Sequence, residues 1–178
     1  MKMTKSILIA GFGGQGILFA GKILAKMGMN SGCCVSWLPS YGPEMRGGVC
    51  NCSVIVSDRD IGSPLVTRPD ALIVLNLPSF EKFEPAVRPG GLLIADSSLI
   101  DKKSNRDDIT ASYIPASKIA SDEGLDKLAN VIAVGHFLAL SNLFDFNDFL
   151  NDLISGIPPS RATLIEGNKK ALTLGYEW

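Results

Sequence analysis

The chain has one histidine and four cysteines among its 178 residues. The cysteines, Cys33, Cys34, Cys50 and Cys52, form neither a C-x-x-C pair nor a ferredoxin-type series. Ligation of zinc or an iron–sulfur cluster by this chain alone is therefore not expected. Charge of either sign is not in excess, with 17 Lys and Arg against 18 Asp and Glu. A formal charge of −1, with no basic run interleaved with aromatics, leaves no electrostatic footprint for nucleic acid. No apolar run reaches the ~18 residues that a membrane span requires. The opening Met1-Lys2-Met3-Thr4-Lys5 leads straight into a short apolar run without a cleavage signature, so a cytoplasmic location is expected.

Apolar residues make up 46% of the chain, enough to bury the core of one ordinary domain, taken here as 1–178. Buried apolar runs alternate with helical patterns. Strands are expected near residues 6–10, 33–38, 49–56, 71–75, 92–96 and 110–114. Helices are expected near 15–29, 78–83, 117–128, 131–143, 146–154 and 161–174. This alternation predicts an α/β fold, a three-layer αβα arrangement with a mostly parallel, Rossmann-like sheet. The four cysteines lie on two of these strands, where free cysteine acts as a small buried hydrophobe. Ligands of such sheets sit beyond the carboxyl ends of the strands. Here those ends carry small and polar residues: 11–16, 40–48, Asn76-Leu77-Pro78-Ser79 and Asp96-Ser97-Ser98.

The run Gly11-Phe12-Gly13-Gly14-Gln15-Gly16 joins the first strand to the first helix. Glycine suits a reversal that lets another group approach the backbone. A helix opening there offers free N–H groups and a positive dipole end, which suit a phosphate or another anion. The plainer reading is tight strand–helix packing. A dinucleotide site would also need an acidic residue ~20 positions on. The second strand instead ends in Leu38-Pro39-Ser40-Tyr41, and no acid appears before Glu44. That disfavours NAD.

The second glycine cluster, Ser40-Tyr41-Gly42-Pro43-Glu44-Met45-Arg46-Gly47-Gly48, presents a guanidinium beside thin backbone. Arg46 could meet Glu44, a partner chain or an anionic ligand. The alternative is a surface ion pair of little energetic weight. His136, on an apolar helical stretch, reads as a core or interface histidine. Asp96, at a strand end, reads equally as a loop cap.

Together the two glycine clusters resemble the γ subunit of 2-oxoacid:ferredoxin oxidoreductases. The resemblance continues through Asn51-Cys52-Ser53, Pro89-Gly90-Gly91-Leu92-Leu93, Asn130-Val131-Ile132-Ala133-Val134-Gly135 and Asn168-Lys169-Lys170-Ala171-Leu172. The lead-in Trp37-Leu38-Pro39 looks most like γ chains for 2-oxoglutarate or branched-chain 2-oxoacids. What the resemblance implies is one part of an enzyme that oxidatively decarboxylates a 2-oxoacid to an acyl-coenzyme A, with electrons passing to ferredoxin. Thiamine diphosphate and the iron–sulfur clusters would belong to α, β and δ or ferredoxin-like partners. This chain accordingly lacks a Gly-Asp-Gly…Asn-Asn signature and cluster cysteines. The γ unit would serve the coenzyme A side and assembly, with Gly11, Gly13, Gly14, Gln15, Gly16, Tyr41, Arg46 and Gly47 as candidate contacts and no catalytic residue of its own. The competing readings are a docking subunit without ligand contact and an independent nucleotide-binding oxidoreductase.

Overall fold

The computed structural model describes residues 4–40 and 49–178. Its strands are β1 (Thr4–Phe12), β2 (Cys34–Ser40), β3 (Val49–Ser57), β4 (Ala71–Val74), β5 (Leu92–Asp96) and β6 (Thr110–Ile114). Its α-helices are α1 (Ile17–Asn30), α2 (Leu77–Phe83), α3 (Ala116–Asp122), α4 (Ala129–Ser141), α5 (Phe146–Ser155) and α6 (Leu164–Tyr176). Two 3₁₀ turns, Glu84–Ala86 and Pro159–Arg161, complete the set. The sheet order is β2-β3-β1-β4-β5-β6. β1, β4, β5 and β6 pair in parallel, whereas β3 runs antiparallel to both β1 and β2. The expected α/β architecture with a mostly parallel sheet is what the chain forms.

Strand alternation sends successive side chains to opposite faces, and this builds two cores. Ile7 and Ile9 of β1, Cys52, Val54 and Val56 of β3 and Ile73 of β4 face α1, α4 and α6. Leu8, Ala10, Leu72, Val74 and Leu93 face the other way, against Phe80 of α2 and Val87. The two helical layers are unequal. Of the described helices, α2 covers the second face and the others pack on the first. α4 lies innermost, buried from Asn130 to Leu138. Its apolar surface extends all round, as an internal helix requires.

Several boundaries differ from the expected ones, each for a local reason. β1 extends past the apolar run because its ladder with β3 holds from Thr4↔Ser57 to Phe12↔Val49, so Gly11 is strand, not turn. α1 starts after Gly16, whose φ of 73° cannot be helical. The helix expected over 117–128 ends early, because Gly124 (φ 63°) and Lys127 (φ 67°) are both left-handed. Among the cysteines, Cys52 is fully buried, Cys33 and Cys50 are half-buried and Cys34 is exposed. The expectation of burial fails at Cys34, on the outer strand β2. Burial pushes the Cys52 thiol up to about 12, with the neighbouring Cys50 adding to the shift.

His136 is buried on α4, and its Nε2 lies 2.7 Å from Ser112 Oγ of β6. Burial lowers its pKa below the ordinary imidazole value. The unfolded chain then takes up the proton more readily than the fold does. His136 therefore contributes stability fully above about pH 6.5, and the contribution falls as the pH drops below that value. Urea midpoints taken at pH 7.5 and 5.5 should show this acid-side loss, and His136→Gln should flatten it. An unchanged slope in the variant would contradict the assignment.

Helices α4 and α6 cross where neither can carry a side chain. A Cβ on Gly175 would strike the carbonyl oxygen of Ile132, and one on Gly135 that of Leu172. Backbone cannot swing aside as a side-chain end can. Gly175→Ala is expected to cost about 1–3 kcal/mol in urea unfolding, in the range of overpacked cores. Gly62→Ala, with open space around it, should stay within about 0.5 kcal/mol of the parent.

Candidate functional site at the carboxyl edge of the sheet

The parallel register places the ends of β1, β4 and β5 on one edge of the sheet. β2 ends there too, since Ser40 pairs with Asn51 and Val49 pairs with Phe12. The expected gathering of small and polar strand ends is thus observed for 11–16, Ser40, Asn76–Ser79 and Asp96–Ser98. Tyr41, Arg46 and Gly47 lie outside the described residues, as does Glu44. Their flanking residues Ser40 and Val49 sit on this same edge.

Within the glycine turn each position has its own surroundings. Gly11 is buried, and a Cβ there would meet Gln15 Oε1 at 2.6 Å and Ile17 Cδ1 at 2.7 Å. Its requirement is close packing, the plainer of the two readings. Gly13 and Gly14 are exposed. Gly14 has φ 98°, and nothing lies within 4 Å of the position its Cβ would take. Only at Gly14 do a left-handed backbone and open space coincide within this turn. Gly16, at φ 73°, is the N-cap of α1 and lies against the Asn130 carboxamide.

Gln15 is structural in its side chain. Its Oε1 accepts from Phe12 N at 2.6 Å and its Nε2 donates to Leu75 O at 2.9 Å. The carboxamide thereby ties the end of β1 to the end of β4, while the Gln15 backbone borders a cleft. Asn130, near the start of α4, donates from Nδ2 to Gly16 O at 3.1 Å. This bond joins the starts of α1 and α4. Neither helix has a side-chain cap or an acidic residue in its first turn. At α4 the Leu128 and Val131 N–H groups already donate to Leu125 O and Leu128 O, whereas the first turn of α1 keeps its N–H groups and positive dipole end for solvent or a ligand.

A cleft of about 230 Å³ opens between the glycine turn and the α3–α4 connection. Gly14 and Gln15 form one side, and Ser117, Ser121, Lys127 and Ala129 border the other. Asp96 is not available to it as a free carboxylate. Its Oδ1 accepts from Ser98 N at 3.0 Å, and its Oδ2 accepts from Ser117 N at 3.1 Å and from Ser117 Oγ. The capping role holds. His136 is likewise committed to Ser112 and does not border the cleft.

Sequence reasoning missed Asn130 and Lys127 as parts of this edge. Asn130 carried a signal, a polar residue opening an otherwise apolar helix. Lys127 carried none, because a left-handed lysine is set by its tertiary surroundings.

Comparison with known proteins places this geometry in a lineage. Residues 6–178 match the family model described as pyruvate ferredoxin/flavodoxin oxidoreductase. The chain is 37% identical over 172 residues to the ketoisovalerate oxidoreductase subunit VorA of Methanothermobacter marburgensis, covering 97% of this chain and 36% of the relative. It is 33% identical over 180 residues to the 2-oxoglutarate synthase subunit KorC of Methanocaldococcus jannaschii, covering 99% and 95%. The chain thus spans about a third of the length of the ketoisovalerate relative and nearly all of the 2-oxoglutarate one. Among solved structures, the γ subunit of a keto/oxoacid ferredoxin oxidoreductase from Geobacter sulfurreducens superposes with a TM-score of 0.83 at 29% identity, covering 98% and 95%. The fold also recurs, at TM-score 0.88 and 22% identity, within 31% of a chain of the 2-oxoglutarate:ferredoxin oxidoreductase from Magnetococcus marinus. By the family match over nearly its whole length, and by its likeness to stand-alone subunits of its own size, this chain belongs to the pyruvate ferredoxin/flavodoxin oxidoreductase family.

Proposed function

We propose that this chain is the γ unit of a cytoplasmic 2-oxoacid:ferredoxin oxidoreductase and supplies contacts to coenzyme A and to partner subunits. The reaction of the whole is the coenzyme A-dependent oxidative decarboxylation of a 2-oxoacid, such as 2-oxoglutarate, with electrons to ferredoxin. Family membership supports the class of enzyme. The residues of this chain do not fit thiamine diphosphate or a cluster. Its cysteines lack the spacing, and among the described residues no three His, Cys, Asp or Glu side chains gather into a metal site. Those groups are therefore assigned to the α, β and δ or ferredoxin-like partners.

Coenzyme A does fit what the carboxyl edge offers. The observation that carries this reading is the open left-handed backbone at Gly14, beside an uncapped 14-residue helix. Phosphate oxygens can approach that backbone without meeting a side chain, and the α1 N-terminus favours their charge. Coenzyme A would supply the thiol that accepts the acyl group, and this chain would hold its phosphate-bearing part in place. Arg46 and Tyr41 are proposed to add contacts from the neighbouring loop, to the ligand or to a partner chain. Gly11 and the Gln15 side chain serve the packing of the turn itself, which also supports the simpler role of a docking subunit.

The two roles separate in a reconstituted complex. Gly14→Val adds bulk and strain at a left-handed position. It should raise the apparent KM for coenzyme A at least tenfold, with less effect on kcat and with the subunits still co-purifying. Gly32→Val is the control, being equally left-handed (φ 76°) and unobstructed but at the far end of α1. It should leave that KM unchanged. If both variants keep the parent's coenzyme A dependence, the chain is a docking subunit. Arg46→Ala should weaken coenzyme A binding or assembly by about 1.5–3 kcal/mol, the worth of a charge-assisted contact.

A further inference from the structure

We propose that the cavity on the α2 side of the sheet is a docking site for an extended, uncharged segment of a partner subunit. The proposal rests on the reading above that this chain joins partner subunits, and it names where one of them is held. Strand alternation turns Leu38 of β2, Ser53 of β3 and Leu8 of β1 toward that side, in one row across three strands. Ser40 and Asn51 form the next row toward the carboxyl edge. With Leu65 of the β3–β4 connection and Phe83 of α2, these rows border a cavity of about 430 Å³. Its size is that of a site that holds a ligand group, not a packing gap.

The lining selects the occupant. Among the described residues that border the cavity none is charged, which disfavours a 2-oxoacid, a phosphate or another ion there. Ser53 is 9% exposed, and among the described residues nothing takes up its hydroxyl in a hydrogen bond. The side chains of Ser40, Asn51 and Thr67 are equally uncommitted. Hydroxyls and a carboxamide both donate and accept, so together they match the N–H and C=O groups of a peptide. Leu8, Leu38 and Phe83 match an apolar side chain. β2 extends the same surface. It is the outer strand, it pairs on one side only among the described residues, and Cys34–Ser40 carry no charge. Such an edge is open to strand addition, in which backbone bonds give affinity and an adjoining pocket selects a side chain. Pro39 has no N–H to offer, so pairing is confined to the residues before it. A small neutral molecule would use the cavity but not the strand edge.

The test measures binding of the full chain to its partner subunits, with amide exchange read on this chain in and out of the complex. Leu65 is 69% exposed in the free chain, so its variants leave the core alone. Leu65→Glu puts a charge at the cavity and should raise Kd for the partners about tenfold or more, with an unchanged Tm. Leu65→Met, similar in size and uncharged, should stay within about threefold of the parent. Ser53→Ala should weaken binding about three- to tenfold without lowering Tm, since its hydroxyl has no partner to lose in the free chain. Complex formation should slow exchange at residues 34–38, 51–53 and 65–67. Parental affinity in both Leu65→Glu and Ser53→Ala, or unchanged exchange at all three segments, overturns the proposal and leaves the chain's wider role standing. A parent chain that binds no partner overturns both. Pantetheine, a neutral amide-bearing probe, is titrated into the free chain as the competing case. If it slows exchange at 51–53 and 65–67 while Leu65→Glu assembles normally, the cavity belongs to a small ligand and the proposal falls.

Discussion

The carboxyl edge of this domain depends on one contact, that of Gly16 with the Asn130 carboxamide. Any side chain at residue 16 would overlap that carboxamide, and a left-handed φ there would strain it further. With glycine in place, α1 can begin against α4, and Asn130 can bond the carbonyl that caps the first turn. Gln15 then closes the turn from the other side by bridging the ends of β1 and β4. The outcome is a rigid frame around an open backbone at Gly14. Rigidity matters because an anion site made of backbone N–H groups works only if the donors are already aimed.

That frame sits on an asymmetric body. α4 is enclosed between the sheet and α6, and the Gly135–Gly175 crossing lets the two helix backbones meet directly. The layer on the other face is thin, with α2 and its 3₁₀ turn as the helical cover. A cavity of about 430 Å³ lies on that side, between Leu38 of β2, Leu65 and Phe83. A domain whose relatives include both stand-alone subunits and longer chains has to present surfaces that another polypeptide can cover. Among the described residues, the thin side and the outer strand β2 have least of the chain to cover them.

The α/β alternation and the sheet's parallel character were legible because buried strands read as continuous apolar runs. The strand at 92–96 falls where such a run places it, and the one at 110–114 falls where a short last strand was expected. What escaped the sequence was set by tertiary contacts. The extra residues of β1 come from pairing with β3, whose residues are far from it in the chain. The early end of α3 comes from left-handed Gly124 and Lys127, of which only the glycine carries a local signal. Cys34 shows the same limit, because its strand was legible but its place at the sheet edge was not. At the site, the glycines were legible as a group, but their division of labour was not. Gly11 packs, Gly16 seats a helix and Gly14 is left open, and only the surrounding atoms distinguish these roles.

Amide hydrogen exchange on the reconstituted complex, with and without coenzyme A, would test the central claim most directly. The account predicts that coenzyme A slows exchange at residues 13–19 and 127–131, the starts of α1 and α4 with their preceding turns. The amino edge of the sheet around Asp70 and Gly90 should exchange as before. Unchanged exchange at both helix starts, with protection of this chain elsewhere or only in the partner chains, would contradict it.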